Sequence, residues 1–250
     1  DLGGELAATW LPAIAAGEAV VAVGLQQNVL VEDAHIANLL LLEHSGAIHA
    51  LTPEHYELQR SESVDPSRQL FSVTVTGAGN AVAEGEHAEH LLARALDHGA
   101  LGAAAQALGL AQRMVDLSVQ YTADRQQFGK PVGSFQAVKH HMANVAVQLE
   151  YARAPVHRAA CALAAGARNA SEAVSHAKIV ACEAARLAAK NSIQVHGAMG
   201  YTWEVDLQIF MKKAWALANT WGDAGFHKAR VAEHIFAEGA ALGAGATFAH

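Results

Sequence analysis

The chain has 250 residues, 52% of them hydrophobic and 16% charged, with a formal net charge of −7. That length and apolar content suffice for one large domain or two smaller ones with a buried core. The acidic balance excludes a nucleic-acid binder, which would show a basic patch, and the two cysteines, Cys161 and Cys182, read as small core residues in a reducing cytoplasm rather than a disulfide framework.

In chain order, Asp1–Ala16 reads as the tail of a helical domain, the remnant of an N-terminal one. Within it Leu6–Ala15 is a short apolar helix, interrupted by Pro12 and ended by Gly17. The longest apolar run, Ala7–Leu25, contains Pro12, Gly17 and Glu18 and lacks a basic leader. It predicts a buried helix followed by a strand, and neither a membrane span nor a signal peptide. Short β-rich runs follow at Ala19–Leu25, Val29–Val31, Ala37–Leu42, Ala47–Leu51 and Leu70–Val75, with Ser61–Arg68 as a polar loop. They predict a small, reduced antiparallel β-domain over residues 17–85.

From Glu86 the period changes. Leu101, Leu108 and Val115 recur at seven, beside a small-residue stripe of Ala104, Ala111 and Ser118, which predicts a long amphipathic helix ending near Arg125. Ser134 is the expected N-cap of a second helix reaching about Ala165, with Pro155 expected to kink it or end its first part. Gly166–Asn169 is a turn and Ser171–Val195 a third long helix. His196–Tyr201 is a loop, and Trp203–Thr220 and Phe226–Ala237 are two further helices. The fold class is therefore mainly α: a C-terminal antiparallel helical bundle over residues 86–238, preceded by the small β-domain and the helical remnant, and followed by a flexible Gly/Ala-rich tail at 239–250.

Two stretches could carry chemistry. The first is Tyr121–Gln136, where a helix end, glycines, an arginine and glutamines converge. Arg125 at a helix C-terminus can simply satisfy the last carbonyls. It also offers a planar, permanent cation suited to phosphate oxygens. Gly129 permits a tight turn, Phe128 a flat packing surface, and Gln136 sits in a first helical turn whose free N–H groups favour anions. The second stretch is Gln194–Thr202, a helix end with Gly197 and Gly200.

Taken jointly, Arg125, Gln127, Phe128, Gly129, Phe135 and Gln136, followed by Gln194–Gly197 and Gly200–Thr202, resemble the acyl-CoA dehydrogenase family. The resemblance covers Glu86–Ala237 strongly and Asp1–Glu84 loosely, and it implies that the C-terminal bundle is a four-helix bundle behind a middle β-domain and an N-terminal helical domain. It implies that Arg125, Gln127, Phe128 and Gln136 contact FAD bound mainly by a neighbouring subunit, and that Gln194, Val195 and Gly197 approach its ADP portion. Ala198 stands where the family usually has a second glycine, so its methyl group faces the expected pyrophosphate. The family's reaction uses a glutamate base, either near the C-terminus or on the first bundle helix. Here those slots fall at Thr220–Trp221–Gly222 and at about Gly99, neither of which can abstract a proton. Asp97 and Asp223 are the nearest carboxylates. Their structural reading comes first: Asp97 as a solvated helix residue, Asp223 as a helix N-cap. The flavin-ring motifs of the family's middle domain are replaced by Ala22–Glu32 or missing.

The resemblance thus implies a non-catalytic subunit of a heteromeric, α2β2 acyl-CoA dehydrogenase. The partner is a second, catalytic subunit that carries most of the acyl-CoA site, and the substrate class is bulky acyl-CoAs such as steroid side-chain thioesters. Two alternatives stand beside it: a self-sufficient flavoenzyme with a base displaced to Asp97 or Asp223, and a non-enzymatic helical scaffold. No metal is expected. Glu84 and His87 have the Glu-x-x-His spacing of di-iron bundles, but the second such motif and the additional glutamates are missing from the sequence. Adjacent His140 and His141 point about 100° apart on a helix, and are expected to straddle its surface and an interface edge.

Overall fold

Alternation of apolar and polar residues gives way to helical periodicity near residue 85, and the backbone follows it. A computed structural model describes residues 4–25, 30–77, 79–240 and 243. The chain divides into two compact units, Asp1–Leu96 and Asp97–His250.

The first unit begins with helix α1, Glu5–Ala16, which Gly17 closes in the left-handed conformation at φ 75°. Pro12 lies inside this helix without ending it, and no residue of α1 is buried. The apolar run therefore forms the expected helix but not the expected buried one, because no described element closes over its side chains. Seven strands follow among the described residues: β1 Val21–Gly24, β2 Val31–Glu32, β3 Leu39–His44, β4 Ala47–Leu51, β5 Tyr56–Ser61, β6 Leu70–Val75 and β7 Asn80–Glu84. They form a four-stranded sheet in the order β1-β3-β4-β7 and a three-stranded sheet in the order β2-β6-β5. Every pairing is antiparallel except β1 with β3, which is parallel. Leu40 and Leu51, both fully buried, pack with Val31, Tyr56 and Phe71 as the core of this unit.

Strand positions anticipated from composition recur at β1, β3, β4 and β6. Of the run Val29–Val31, residue 29 lies outside the described residues, and the strand occupies Val31–Glu32. The strands β5 (YELQRS) and β7 (NAVAE) were not anticipated, because their polar, exposed faces dilute the β-branched signal. Their order comes from the ladder, with Tyr56 to Ser61 paired against Val75 to Leu70. Of the predicted tail, all but Gly239, Ala240 and Gly243 lies outside the described residues.

Helix α2, Gly85–Asp124, begins in the first unit and enters the second at Asp97, which also holds α3 Gln136–Ala164, α4 Ala170–His196 and the shorter α5 Leu207–Asn219 and α6 Ala224–Ile235. Alanines let the backbones approach. Ala177, Ala181, Ala185 and Ala188 on α4 are at or near zero exposure, as are Val145, Leu149 and Ala152 on α3. Fully burying each larger apolar side chain contributes about 1.5–3 kcal/mol. Buried hydroxyls are satisfied locally: Ser118 Oγ donates to the Met114 carbonyl at 2.7 Å and Thr122 Oγ1 to the Ser118 carbonyl at 2.8 Å. Pro155 lies within α3, which runs on past it to Ala164. Ser134 is not the cap of α3. It belongs to a 3-10 turn, Val132–Ser134, and Phe135 takes the cap position without a side-chain bond. That turn is drawn onto the end of α2, where the Val132 N–H donates to the Arg125 carbonyl at 2.8 Å. Among the described residues, no helix is long and apolar enough to cross a membrane, and no group of three or more His, Cys, Asp or Glu could hold a metal ion.

Candidate functional site

The α2–α3 connection and the C-terminal end of α4 meet in one cleft of about 410 Å³. Arg125 and Gln127 line it from the connection, and Gln194, Val195, Gly197 and Ala198 line it from α4 and the turn beyond. That volume is within the range of small-molecule sites. The two stretches that the sequence analysis paired are thus brought together, although their cleft residues lie some seventy positions apart. Phe128 and Gln136 do not line the cleft.

Local structure explains how the connection is held. The Arg125 N–H donates to the Tyr121 carbonyl at 2.9 Å, closing the last turn of α2. A two-residue hairpin then pairs β8, Gln126–Gln127, with β9, Lys130–Pro131. Its tip is Phe128 at φ 54° and Gly129 at φ 76°, the left-handed pair that a two-residue hairpin of this kind requires. Phe128 is 90% exposed, its ring edge-on to Phe135 at 6.1 Å. Gln136, the first residue of α3, is also exposed.

Beneath the cleft, Tyr121 stacks on His196 with ring centroids 4.2 Å apart, and the Tyr121 hydroxyl donates to the His196 carbonyl at 3.3 Å. Burial pulls the His196 imidazole below the ordinary histidine range, so the ring is neutral near pH 7. Its Nδ1–H donates to the Ser192 carbonyl at 2.7 Å. His141, bonded to Asn191, adds a further polar wall. Its neighbour His140 is exposed, so the two rings straddle the surface of α3 as their spacing predicts.

Among the described residues, no carboxylate lines the cleft and the exposed Arg125 has no ion pair. A permanent cation, the carboxamides of Gln127 and Gln194, a backbone turn at Gly197 and a flat aromatic floor suit an anionic ligand with hydroxyl groups and a planar ring. The ADP portion of FAD has that chemistry. Ala198 lies on the exposed rim of the cleft beside Gly197.

The candidate bases are engaged elsewhere. Asp97 is 4% exposed, not solvated as its sequence context predicts. Arg230 Nη2 donates to Asp97 Oδ1 at 3.0 Å, and Ser171 Oγ donates to Asp97 Oδ2. The cause is tertiary: Arg230, which makes burial tolerable, is far away in sequence. Asp223 does cap α6, its Oδ1 accepting from the Phe226 N–H at 2.8 Å. Tyr121, His141, His196 and Met199 were not singled out as site residues. Tyr121 and His196 lay inside the two chosen stretches, but nothing in their spacing signals the stack.

With the fold and cleft in view, the family follows. A family model described as acyl-CoA dehydrogenase, C-terminal domain, matches residues 90–236. The chain belongs to the acyl-CoA dehydrogenase family. It is 35% identical over 167 residues to the acyl-CoA dehydrogenase IpdE2 of Mycolicibacterium smegmatis, covering 67% of this chain and 49% of that protein. It is 34% identical over 206 residues to IpdE2 of Mycobacterium tuberculosis, covering 82% of this chain and 59% of that protein. The chain thus spans about half to three fifths of the length of these relatives. Among solved structures, a variant of the Tcur3481-Tcur3483 steroid ACAD superposes with a TM-score of 0.77 at 26% identity, covering 89% of this chain and 63% of that one.

Proposed function

We propose that this chain is the non-catalytic subunit of a heteromeric, FAD-dependent acyl-CoA dehydrogenase, and that its cleft grips the ADP portion of a flavin held mainly by the partner subunit. One observation carries the reading. Arg125, Gln127, Gln194 and Gly197 line one carboxylate-free cleft, while Asp97 and Asp223, the carboxylates nearest the expected base positions, are bound to Arg230 and to the start of α6.

When bound, FAD supplies a hydride acceptor for α,β-dehydrogenation of an acyl-CoA. This chain's residues do other work. Arg125 would hold the negative charge of the pyrophosphate with its permanent cation. Gln127 and Gln194 orient polar groups, and the Tyr121–His196 stack gives the cleft a rigid floor. Phe128, projecting at the hairpin tip, and Gln136 lie outside the cleft and reach toward the neighbouring subunit. The proton is taken by a carboxylate of the partner. The similar structure named as a steroid ACAD, with its paired designation, supports a bulky steroid side-chain thioester as the substrate and a two-component assembly. The free thiols Cys161 and Cys182 fit a cytoplasmic setting.

Co-purification from the native host tests this directly. One second polypeptide and bound flavin, released on denaturation, are expected. A stable, flavin-containing, active homomer of this chain would overturn the proposal.

A further inference from the structure

The α5–α6 turn carries a second arrangement that the flavin cleft does not use. Trp221 has φ 58°, a left-handed backbone that costs a bulky residue about 1–2 kcal/mol. The next residue, Gly222, has φ 92°, and a Cβ there would lie 2.5 Å from Phe226 Cδ1 and 2.9 Å from His227 Nε2. Only glycine fits.

Buried groups hold the turn in this shape. Lys178, 2% exposed, donates through Nζ to the carbonyls of Leu217 at 2.9 Å, Gly222 at 3.2 Å and Ala218 at 3.4 Å. His227, at zero exposure, bonds the Trp221 carbonyl through Nε2 at 2.9 Å. A carbonyl can only accept, so Nε2 carries the proton. The neutral ring then accepts at Nδ1 from Ser175 Oγ at 3.1 Å, and Ser175 accepts from Arg230 Nη1 at 3.2 Å. Arg230 is anchored by Asp97. A lysine, a histidine, an arginine and an aspartate are thus committed to one strained turn. Strain persists where its surroundings over-determine it.

What the turn positions is the indole. A Cβ added to Gly99 on α2 would lie 2.2–2.5 Å from three ring atoms of Trp221. The ring is therefore seated on the bare backbone of Gly99 and, half-buried, packs against the bundle core. Both positions at which this chain was expected to show a base are spent on this one contact.

We propose that Trp221 is a fixed plug: seated on Gly99 and held by Lys178 and His227, its indole denies an acyl thioester access to this end of the bundle. The plug rests on the non-catalytic reading given above and names the residue that enforces it. Removing the indole would open apolar space against the bundle core, of a kind suited to a fatty acyl chain.

The test uses the full chain with its co-purifying partner, and octanoyl-CoA as the probe. Calorimetric titration of wild type, Trp221→Ala and Trp221→Leu reads the affinity. Fluorine NMR of 5-fluorotryptophan-labelled protein, with the Trp221 resonance assigned through Trp221→Phe, reads access to the indole. The added binding is expected to grade Ala above Leu above wild type. For Trp221→Ala it is expected as a class of sites absent from wild type and at least about tenfold tighter than any residual wild-type binding there. The Trp221 resonance of wild type is expected to stay fixed throughout. A saturable shift of that resonance in wild type overturns the plug, and so does the absence of added binding in both Trp221→Ala and Trp221→Leu. The leucine variant decides if the alanine variant fails to fold. Flavin content is read in parallel and is expected to be unchanged in both variants. Preparations without flavin that nonetheless gain binding sink the cofactor reading and leave the plug. Flavin-loaded preparations that gain none do the reverse.

Discussion

Phe128 and Trp221 share a backbone conformation and have opposite surroundings. Each is an aromatic in a turn between bundle helices, with φ of 54° and 58°, and each precedes a glycine with positive φ, Gly129 at 76° and Gly222 at 92°. Phe128 is 90% exposed, whereas Trp221 is pressed onto Gly99. The polar groups around them differ in the same sense. Lys178, His227, Arg230 and Asp97 satisfy one another and the turn carbonyls. Arg125 and Gln136, beside Phe128, hold exposed side chains toward solvent. The same strained backbone therefore seals one end of the bundle and presents a surface at the other. A closed turn should fail through stability, and an open one through ligand affinity.

The largest effect is expected at the closed turn. Arg230→Met strands Asp97 as a buried carboxylate without its cation and should cost about 3–5 kcal/mol in urea unfolding. If it costs under about 1 kcal/mol, the network is not what holds the turn. Acid comes next. Burial holds the folded His227 imidazole at about 4, against 6.5 for the ordinary group. Between those pH values the unfolded chain binds the extra proton, so stability is full above about pH 6.5 and falls as the pH drops toward 4. His227 alone contributes on the order of 3 kcal/mol to that fall, with His196 acting in the same direction. In His227→Gln, unfolding at pH 4.5 and 7 should show a much shallower loss. Gly99→Ala forces the indole from its seat and should cost about 1–3 kcal/mol. At the open turn, Phe128→Gly should leave stability unchanged or raise it by up to about 1 kcal/mol, since glycine relieves the positive φ. A loss of 2 kcal/mol or so there would mean that Phe128 is a packing residue, and the contrast would collapse.

The two turns were unequally legible in the sequence. The bundle helices follow from apolar periodicity, and the cleft follows from residues that are local at each of its two sides. Arg125, Gln127 and Gln194 lie on short stretches rich in glycine and amide, so each side announced itself. The closed turn did not. Asp97 reads as a polar residue on a helix because nothing within ten positions of it is a partner, and Arg230 closes the pair from α6. Gly99 carried a faint signal, since a glycine inside a helix costs about 1 kcal/mol relative to alanine and invites a reason. That reason, an indole more than a hundred residues away, is a tertiary fact. Strands β5 and β7 were hidden for a related cause: their order comes from cross-strand pairing, and their own residues are largely polar or exposed.

The proposed role of Arg125 is to grip a flavin that a neighbouring subunit holds. Flavin retention by the co-purified complex tests it most directly, comparing wild type with Arg125→Ala after matched dialysis. Because Arg125 is exposed and unpaired among the described residues, unfolding should be unchanged within about 0.5 kcal/mol. Loss of a charge-assisted contact should meanwhile weaken flavin binding by about tenfold or more. Arg125→Ala complex that keeps its full flavin, with an unchanged release rate, would contradict that role.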